Sequence, residues 1–357
     1  MRANMQSGNV PRTKPREGEF ALIQSLRTRF ASKDAGLIRG IGEDAAVIKT
    51  PGRDWTVLTT DLLTEDVHFN LAASSFEEVG YRAAVANLSD IASMGAKPRY
   101  LLVAVAIPPG IRAADIRHLY RGLIRACRPF RVHLAGGDTS ASRQGLFISI
   151  TLTGTVEAGR ALRRDGARPG DWLYVTGTLG DSRAGLMILT TATQGAGRAA
   201  ARLPRTAGDR FLVRRHHRPS ARIAEGRWLV MNRLATAAID LSDGLAGDLR
   251  HLCEQSRVGA ELNRAALPIS PSCATFARAR GLDSTDLALT GGEDYELLFT
   301  VRPSDQSRLE RQAARIGYHC TCIGRMKPAA FGIQVLAADG SLGPLTAGSY
   351  EHFRTTL

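Results

Sequence analysis

The order of apolar patterns along this chain predicts an α/β (α+β) protein built as two domains. Three observations carry that reading. Strand-like apolar runs interleave with helix-length stretches of 3.6-residue periodicity in both halves. At 357 residues the chain is long enough for two cores. Between residues 157 and 171 the composition turns charged and glycine-bearing, with Gly159-Arg160, Arg163-Arg164 and Pro169-Gly170, which places a boundary near residue 157. The expected units are a disordered basic tail at 1–17, an N-terminal domain at 18–156 and a C-terminal domain at 157–357.

Residues 19–30 put Phe20, Ile23, Leu26 and Phe30 on one helical face. Gly40-Ile-Gly-Glu-Asp-Ala45 then matches the GxGxxA dinucleotide fingerprint. That fingerprint must open a helix, whereas Ala46-Val-Ile-Lys-Thr50 reads as a strand stopped by Pro51. The glycines are therefore read as a loop presenting Asp44. A strand at 55–60 ends at Asp61, and a helix at 75–94 carries Val79, Ala83, Val85, Leu88 and Ile91 as core contacts. Residues 100–107 form an apolar strand and 113–127 a helix. Residues 131–135 form a short strand expected to stop at Gly136-Gly137. Residues 146–156 alternate as a strand with two unlike faces.

Beyond the boundary, strands are predicted at 172–176, 236–239, 259–262, 318–323 and 332–336. Helices are predicted at 182–189, 209–217, 220–232, 242–255 and 305–316, and Gly291-Gly292 is read as a turn feeding a strand that ends near Thr300.

Composition excludes several function classes. No run of eighteen apolar residues exists, and residues 1–16 lack the apolar centre of a signal peptide. Five scattered cysteines fit reduced thiols in the cytoplasm, and Cys320-Thr-Cys322 reads as alternate positions of a strand rather than half of a zinc site. A net charge of +13 invites nucleic acid, but the arginines are spread along the chain with no aromatic-basic module. A basic surface that attracts anionic small molecules is the expected reading, without nucleic-acid or membrane partners.

Chemistry concentrates in acidic turns. Gly42-Glu-Asp44, Thr59-Thr-Asp61, Asn87-Leu-Ser-Asp90, Gly136-Gly-Asp138 and Asp240-Leu-Ser-Asp243 each set a carboxylate in a turn or helix end beside an apolar run. Asp90 falls near a helix C-terminus, where the macrodipole disfavours an anion and a cation nearby would be welcome. No GxxxxGK loop followed by Ser or Thr occurs, nor the protein-kinase motif set. Phosphate charge would then be met by several magnesium ions on carboxylates.

These stretches, together with Gly170-Asp-Trp-Leu-Tyr-Val-Thr-Gly-Thr-Leu-Gly180, Gly291-Gly-Glu-Asp-Tyr-Glu-Leu297 and Tyr350-Glu-His-Phe353, resemble the thiamine-monophosphate kinase family of the aminoimidazole ribonucleotide synthase superfamily, in order, from residue 18 to 353. The resemblance implies an N-terminal α/β domain whose sheet pairs across a homodimer, followed by a C-terminal α/β domain. It implies ATP-dependent phosphorylation of thiamine monophosphate to thiamine diphosphate. By matched motif, Asp44, Thr59, Thr60, Asp61, Asp90, Asp138, Asp240 and Asp243 would ligate magnesium. Tyr120, Gly137, Asp138, Arg160 and Ser242 would contact ATP, and His68, Glu293 and Tyr350 would line the thiamine site. Asp138, Asp240, Asp243 and Arg160 would carry the transfer itself.

Within the superfamily, a selenophosphate synthetase would show a cysteine near its start, and the hydrogenase-maturation relative would end in one. Residues 1–44 contain none, and the chain ends Thr355-Thr-Leu357. Aminoimidazole ribonucleotide synthase itself should lack the Gly-Gly-Glu-Asp-Tyr-Glu-Leu and Tyr-Glu-His-Phe stretches. Direct transfer without a phosphoenzyme is expected, because the motif aspartates are committed as ligands and the attacking phosphate monoester is already mostly dianionic near neutral pH.

Overall fold

A computed structural model describes residues 18–32, 34–193 and 206–348. The expectations for the tail at 1–17 and for Tyr350 lie outside these residues. The first half runs α1 (Glu19–Phe30), β1 (Leu37–Arg39), β2 (Ala46–Ile48), β3 (Asp54–Thr64), α2 (Phe76–Ser93), β4 (Lys97–Ile107), α3 (Ala113–Cys127), β5 (His133–Ala141) and β6 (Phe147–Glu157). The second half runs β7 (Trp172–Thr176), α4 (Asp181–Thr193), α5 (Ala207–His217), α6 (Ile223–Asn232), β8 (Ala235–Asp240), α7 (Leu245–Ser256) and β9 (Val258–Asn263). It closes with α8 (Pro271–Ala279), α9 (Ser284–Thr290), β10 (Leu297–Val301), α10 (Gln306–Ile316), β11 (Cys320–Pro328), β12 (Ile333–Leu336) and β13 (Leu342–Pro344). The two-domain α/β expectation holds.

The first sheet has the order β1-β2-β3-β6-β4-β5. Its long strands β3 and β6 pair antiparallel from Asp54↔Glu157 to Thr64↔Phe147. Strict alternation of buried and half-buried residues along β6 puts Ile148, Ile150 and Leu152 under α2. The opposite face has no cover among the described residues. Leu62 is 57% exposed and Tyr100 56%, and all nine residues of β5 are exposed.

The second sheet has the order β13-β12-β9-β11-β7-β10-β8. Strand β10, between β7 and β8, is buried at every position, which suits a strand covered on both faces. Phe299 and Tyr174 face the α2 side, while Leu298, Val175 and Ile239 pack under α7.

Helix α2 is the shared wall of the two domains. A capping box starts it, with Ser75 Oγ accepting from the Glu78 amide (3.3 Å) and Glu78 accepting from the Ser75 amide (2.8 Å). Its faces are buried by β3, β6, α3 and α6, which explains a sequence that is small or apolar nearly all round. Where α6 crosses, a Cβ on Gly226 would lie 2.1 Å from the Ala92 carbonyl oxygen, so only glycine permits this approach.

One expectation is corrected, and one is borne out with a later strand start, β10 beginning only at Leu297. The strand before Gly136-Gly137 does not stop there: β5 continues through both glycines, parallel to β4 with a register shift at Leu101/Leu102. A Cβ on Gly137 would sit 1.8 Å from the Val103 carbonyl oxygen, so the glycine serves close strand approach rather than a turn. The Gly291-Gly292 stretch stays irregular up to Leu297. It lies over the Ser242 turn through Glu293 N–H to Ser242 O (2.8 Å) and Tyr295 N–H to Leu241 O (3.0 Å).

Candidate active site

Four elements deliver carboxylates to one place. Asp44 comes from the loop before β2, Asp61 from within β3, Asp90 from the last turn of α2 and Asp240 from the end of β8. Oxygens of Asp44, Asp90 and Asp240 all lie within 4.8 Å of one another. Neighbouring hydroxyls orient two of them. Ser89 Oγ donates to Asp240 (2.7 Å), and Thr59 Oγ donates to Asp90.

Such a cluster is electrostatically uncomfortable. Burial pushes Asp61 up to about 6, and burial together with the Asp44 and Asp61 charges pushes Asp240 up to about 8. Burial, then the charges of Asp61, Asp240 and Asp44, drive Asp90 well above the usual carboxylate range. Among the described residues, Arg164 is the one cation paired with any of the three clustered carboxylates, its Nε donating to Asp44 (2.9 Å).

One oxygen each of Asp44 and Asp61 is buried without a hydrogen-bond partner. Orphaned hard oxygens, mutual repulsion and an all-carboxylate donor set fit a divalent hard cation such as magnesium.

A cavity of about 930 Å³ opens from this cluster between the domains. Thr60, Asp61, Asp90, Asp240, Ser242 and Asp243 border it at the acidic end, and His68 and Glu293 border it further along. The His68 ring is fixed, its Nδ1 accepting the Thr64 N–H (2.9 Å). Leu63, Phe69 and Leu186 add apolar wall. The Thr60 hydroxyl is donated to the Ile150 carbonyl (3.1 Å), away from the clustered carboxylates.

Other predicted residues are not brought to this place within one chain. Gly137 and Asp138 sit on β5, separated from β3 by β4 and β6, and Asp138 accepts the Thr139 amide (2.8 Å). Tyr120 is half-buried on α3. Arg160 lines a different groove with Arg39, Arg163, Arg233, Arg302 and Trp55.

Sequence reasoning missed Arg164, which lay in the connector read as a boundary. It also missed Arg82, although Arg82, Ala86 and Asp90 recur at helical spacing and all line the cavity. Asp248, accepting the Asp243 amide at 3.3 Å, and His216 complete the set.

Residues 42–156 match the family described as AIR synthase related protein, N-terminal domain, and residues 168–335 match AIR synthase related protein, C-terminal domain. The chain is similar to the thiamine-monophosphate kinase of Escherichia coli, 38% identical over 338 residues that cover 95% of this chain and 99% of the relative. Among solved structures, AaThiL complexed with AMPPCP and TMP superposes with a TM-score of 0.80 at 33% identity, covering 94% of this chain and 97% of that one. Thiamine-monophosphate kinase from Stenotrophomonas maltophilia superposes at 0.72 with 35% identity, covering 90% and 97%.

Proposed function

From the premise that this chain belongs to the AIR synthase related family, in its thiamine-monophosphate kinase branch, we propose that it transfers the γ-phosphoryl group of ATP to thiamine monophosphate, giving thiamine diphosphate and ADP. The observation that carries the reading is the single cavity with the carboxylate cluster at one end and His68 and Glu293 along its wall. The acidic end suits a nucleotide's phosphates with their cations. The partly apolar remainder suits a heteroaromatic ring.

Asp44, Asp61, Asp90 and Asp240 would hold magnesium, with Thr59, Thr60, Asp138 and Asp243 as the further members of the proposed set. Magnesium there would offset the charge of the two phosphate-bearing substrates. The chain's own groups do the rest. Thr59 and Ser89 donate to Asp90 and Asp240 and so fix which oxygens face the cavity. Arg164 steadies Asp44 at the acidic end, and the phosphate-facing role is assigned to it rather than to Arg160, which lies in the other groove. His68 and Glu293 orient the acceptor. No general base is required, because the acceptor phosphate, with a second pKa of about 6, is mostly dianionic at neutral pH. Positioning and electrostatics then suffice for direct in-line transfer without a phosphoenzyme. Formation of thiamine diphosphate from ATP and thiamine monophosphate, lost on chelation and restored by millimolar magnesium, is the expected result. Metal-independent turnover, or none with this acceptor, would overturn the reading.

The chain acts as a homodimer in this account. Leu62, Tyr100 and Leu102 are exposed on one sheet face, and β5 is a long uncovered edge strand. A second copy on that face would cover it, and would offer a route by which Gly137, Asp138 and Tyr120 come near a carboxylate cluster. Light scattering at micromolar concentration should give the dimer mass, and Leu62→Glu with Leu102→Glu should give a monomer with little activity. A wild-type monomer mass refutes this. Five free cysteines suit a reducing cytoplasm as its location.

A further inference from the structure

Arg82 ties together two substrate-facing residues that come from different domains. It stands on α2, 2% exposed, in a helix whose other inward side chains are mostly apolar or small. Its Nη2 donates to the His68 carbonyl (3.1 Å) and to one carboxylate oxygen of Glu293. From the other side, His216 Nδ1 lies 3.6 Å from the second Glu293 oxygen and 3.0 Å from Ser182 Oγ. Glu293 is left with 28% of its side chain open, and it borders the cavity with Arg82 and His216.

The backbone at Glu293 supports the same conclusion. Its φ of 63° is one that a non-glycine residue rarely adopts, and Tyr295 repeats it at 52°. Strain of this kind persists where the surroundings over-determine a geometry. A buried guanidinium is an expensive way to join two domains, since an apolar contact of equal volume would serve stability as well or better. The two hydrogens of Nη2, fixed in the plane of the guanidinium, hold a carboxylate and a carbonyl in a set mutual arrangement, which apolar packing cannot.

We propose that Arg82 is a positioning residue for the acceptor: it sets the Glu293 carboxylate and the His68 main chain so that together they recognise the ring portion of thiamine monophosphate. This rests on the kinase reading above. Because the Arg82 charge already matches Glu293, Glu293 acts on the ring as an oriented hydrogen-bond acceptor more than as a bare negative charge. The His216 ring, held by Ser182, packs behind that acceptor's second oxygen.

Initial-rate kinetics on the full-length protein, with ATP and thiamine monophosphate varied separately, test this. Arg82→Lys keeps the charge but loses the planar guanidinium that fixes the two Nη2 hydrogens. KM for thiamine monophosphate should rise about 30-fold, as for loss of a charge-assisted hydrogen bond, while KM for ATP stays within about twofold. Arg82→Ala should recover part of the loss with tens of millimolar guanidinium. The Arg82→Lys, Glu293→Gln double variant should be no worse than the poorer single, since both act through one carboxylate. If the wild type makes no thiamine diphosphate, the kinase reading fails and takes this inference with it. If the wild type turns over, three results overturn the inference alone: additive single effects, an unchanged KM for thiamine monophosphate, or both KM values rising together with a falling Tm.

Discussion

Asparagine at position 90 is expected to lower turnover by about a thousandfold or more and, at the same time, to raise the Tm of the metal-free protein at pH 8. The Asp90 carboxyl is walled in beside Asp61, Asp240 and Asp44, so folding disfavours its charge and lifts its pKa well above that of the unfolded chain, near 4. Above pH 4 the folded protein therefore binds more protons than the unfolded one, and stability falls as pH rises through that window. Asparagine carries no such penalty and can still accept from Thr59 through its amide oxygen. The gain should reach about 3–6 °C at pH 8 and shrink toward pH 5. Saturating magnesium should reverse the order, because a ligand of the folded state stabilises only the protein that binds it. Scanning calorimetry at two pH values, with and without magnesium, checks all three statements. A variant less stable than wild type without metal at pH 8, or one retaining a tenth of the activity, would sink the argument.

The same tension explains what was legible in the sequence. Carboxylates beside small residues in separate turns have no local reason to be there, so Asp44, Asp90 and Asp240 stand out in the bare sequence and the fold brings them together with Asp61 nearby, while Asp138, which stands out equally, is carried on β5. Elements with strong patterns were equally readable. The period-2 alternation of β6, the long helix expected at 75–94 and the strand that follows Gly40-Ile-Gly-Glu-Asp-Ala45 all match. What failed was local ambiguity that only tertiary contacts resolve. The short helices α8 and α9 carry cap signals at Ser270-Pro271 and Asp283, but they are too brief for a convincing apolar stripe. Strand β5 hides because a glycine pair reads as a turn unless the neighbouring β4 backbone is seen pressing on it. Arg82 hides because one arginine in an apolar helix reads as a solvated interruption, when its partners Glu293 and His68 lie far away in the chain or on another element.

Arg160 and Arg164 are the hardest case, since they sit four residues apart in one connector with the same chemistry. Their substitution should separate them sharply. Arg164→Ala removes the counter-ion of Asp44, whose side chain is 1% exposed, and leaves that carboxylate uncompensated beside Asp90 and Asp240. Breaking one side of such a buried pair costs about 3–5 kcal/mol, here toward the lower figure because Arg164 retains 18% exposure. The metal-free variant should therefore melt well below wild type, the opposite sign to Asp90→Asn although both changes remove one charge from one cluster. Magnesium should restore most of the lost Tm, because a cation on Asp44 replaces the missing compensation. Activity should not return with it, staying about a hundredfold down, since Arg164 then no longer meets the phosphates. Arg160→Ala, in a groove apart from the cavity, should leave turnover within about twofold. If Arg160→Ala were the inactive variant and Arg164→Ala the silent one, the assignment made from the geometry would be wrong and the motif-based one right.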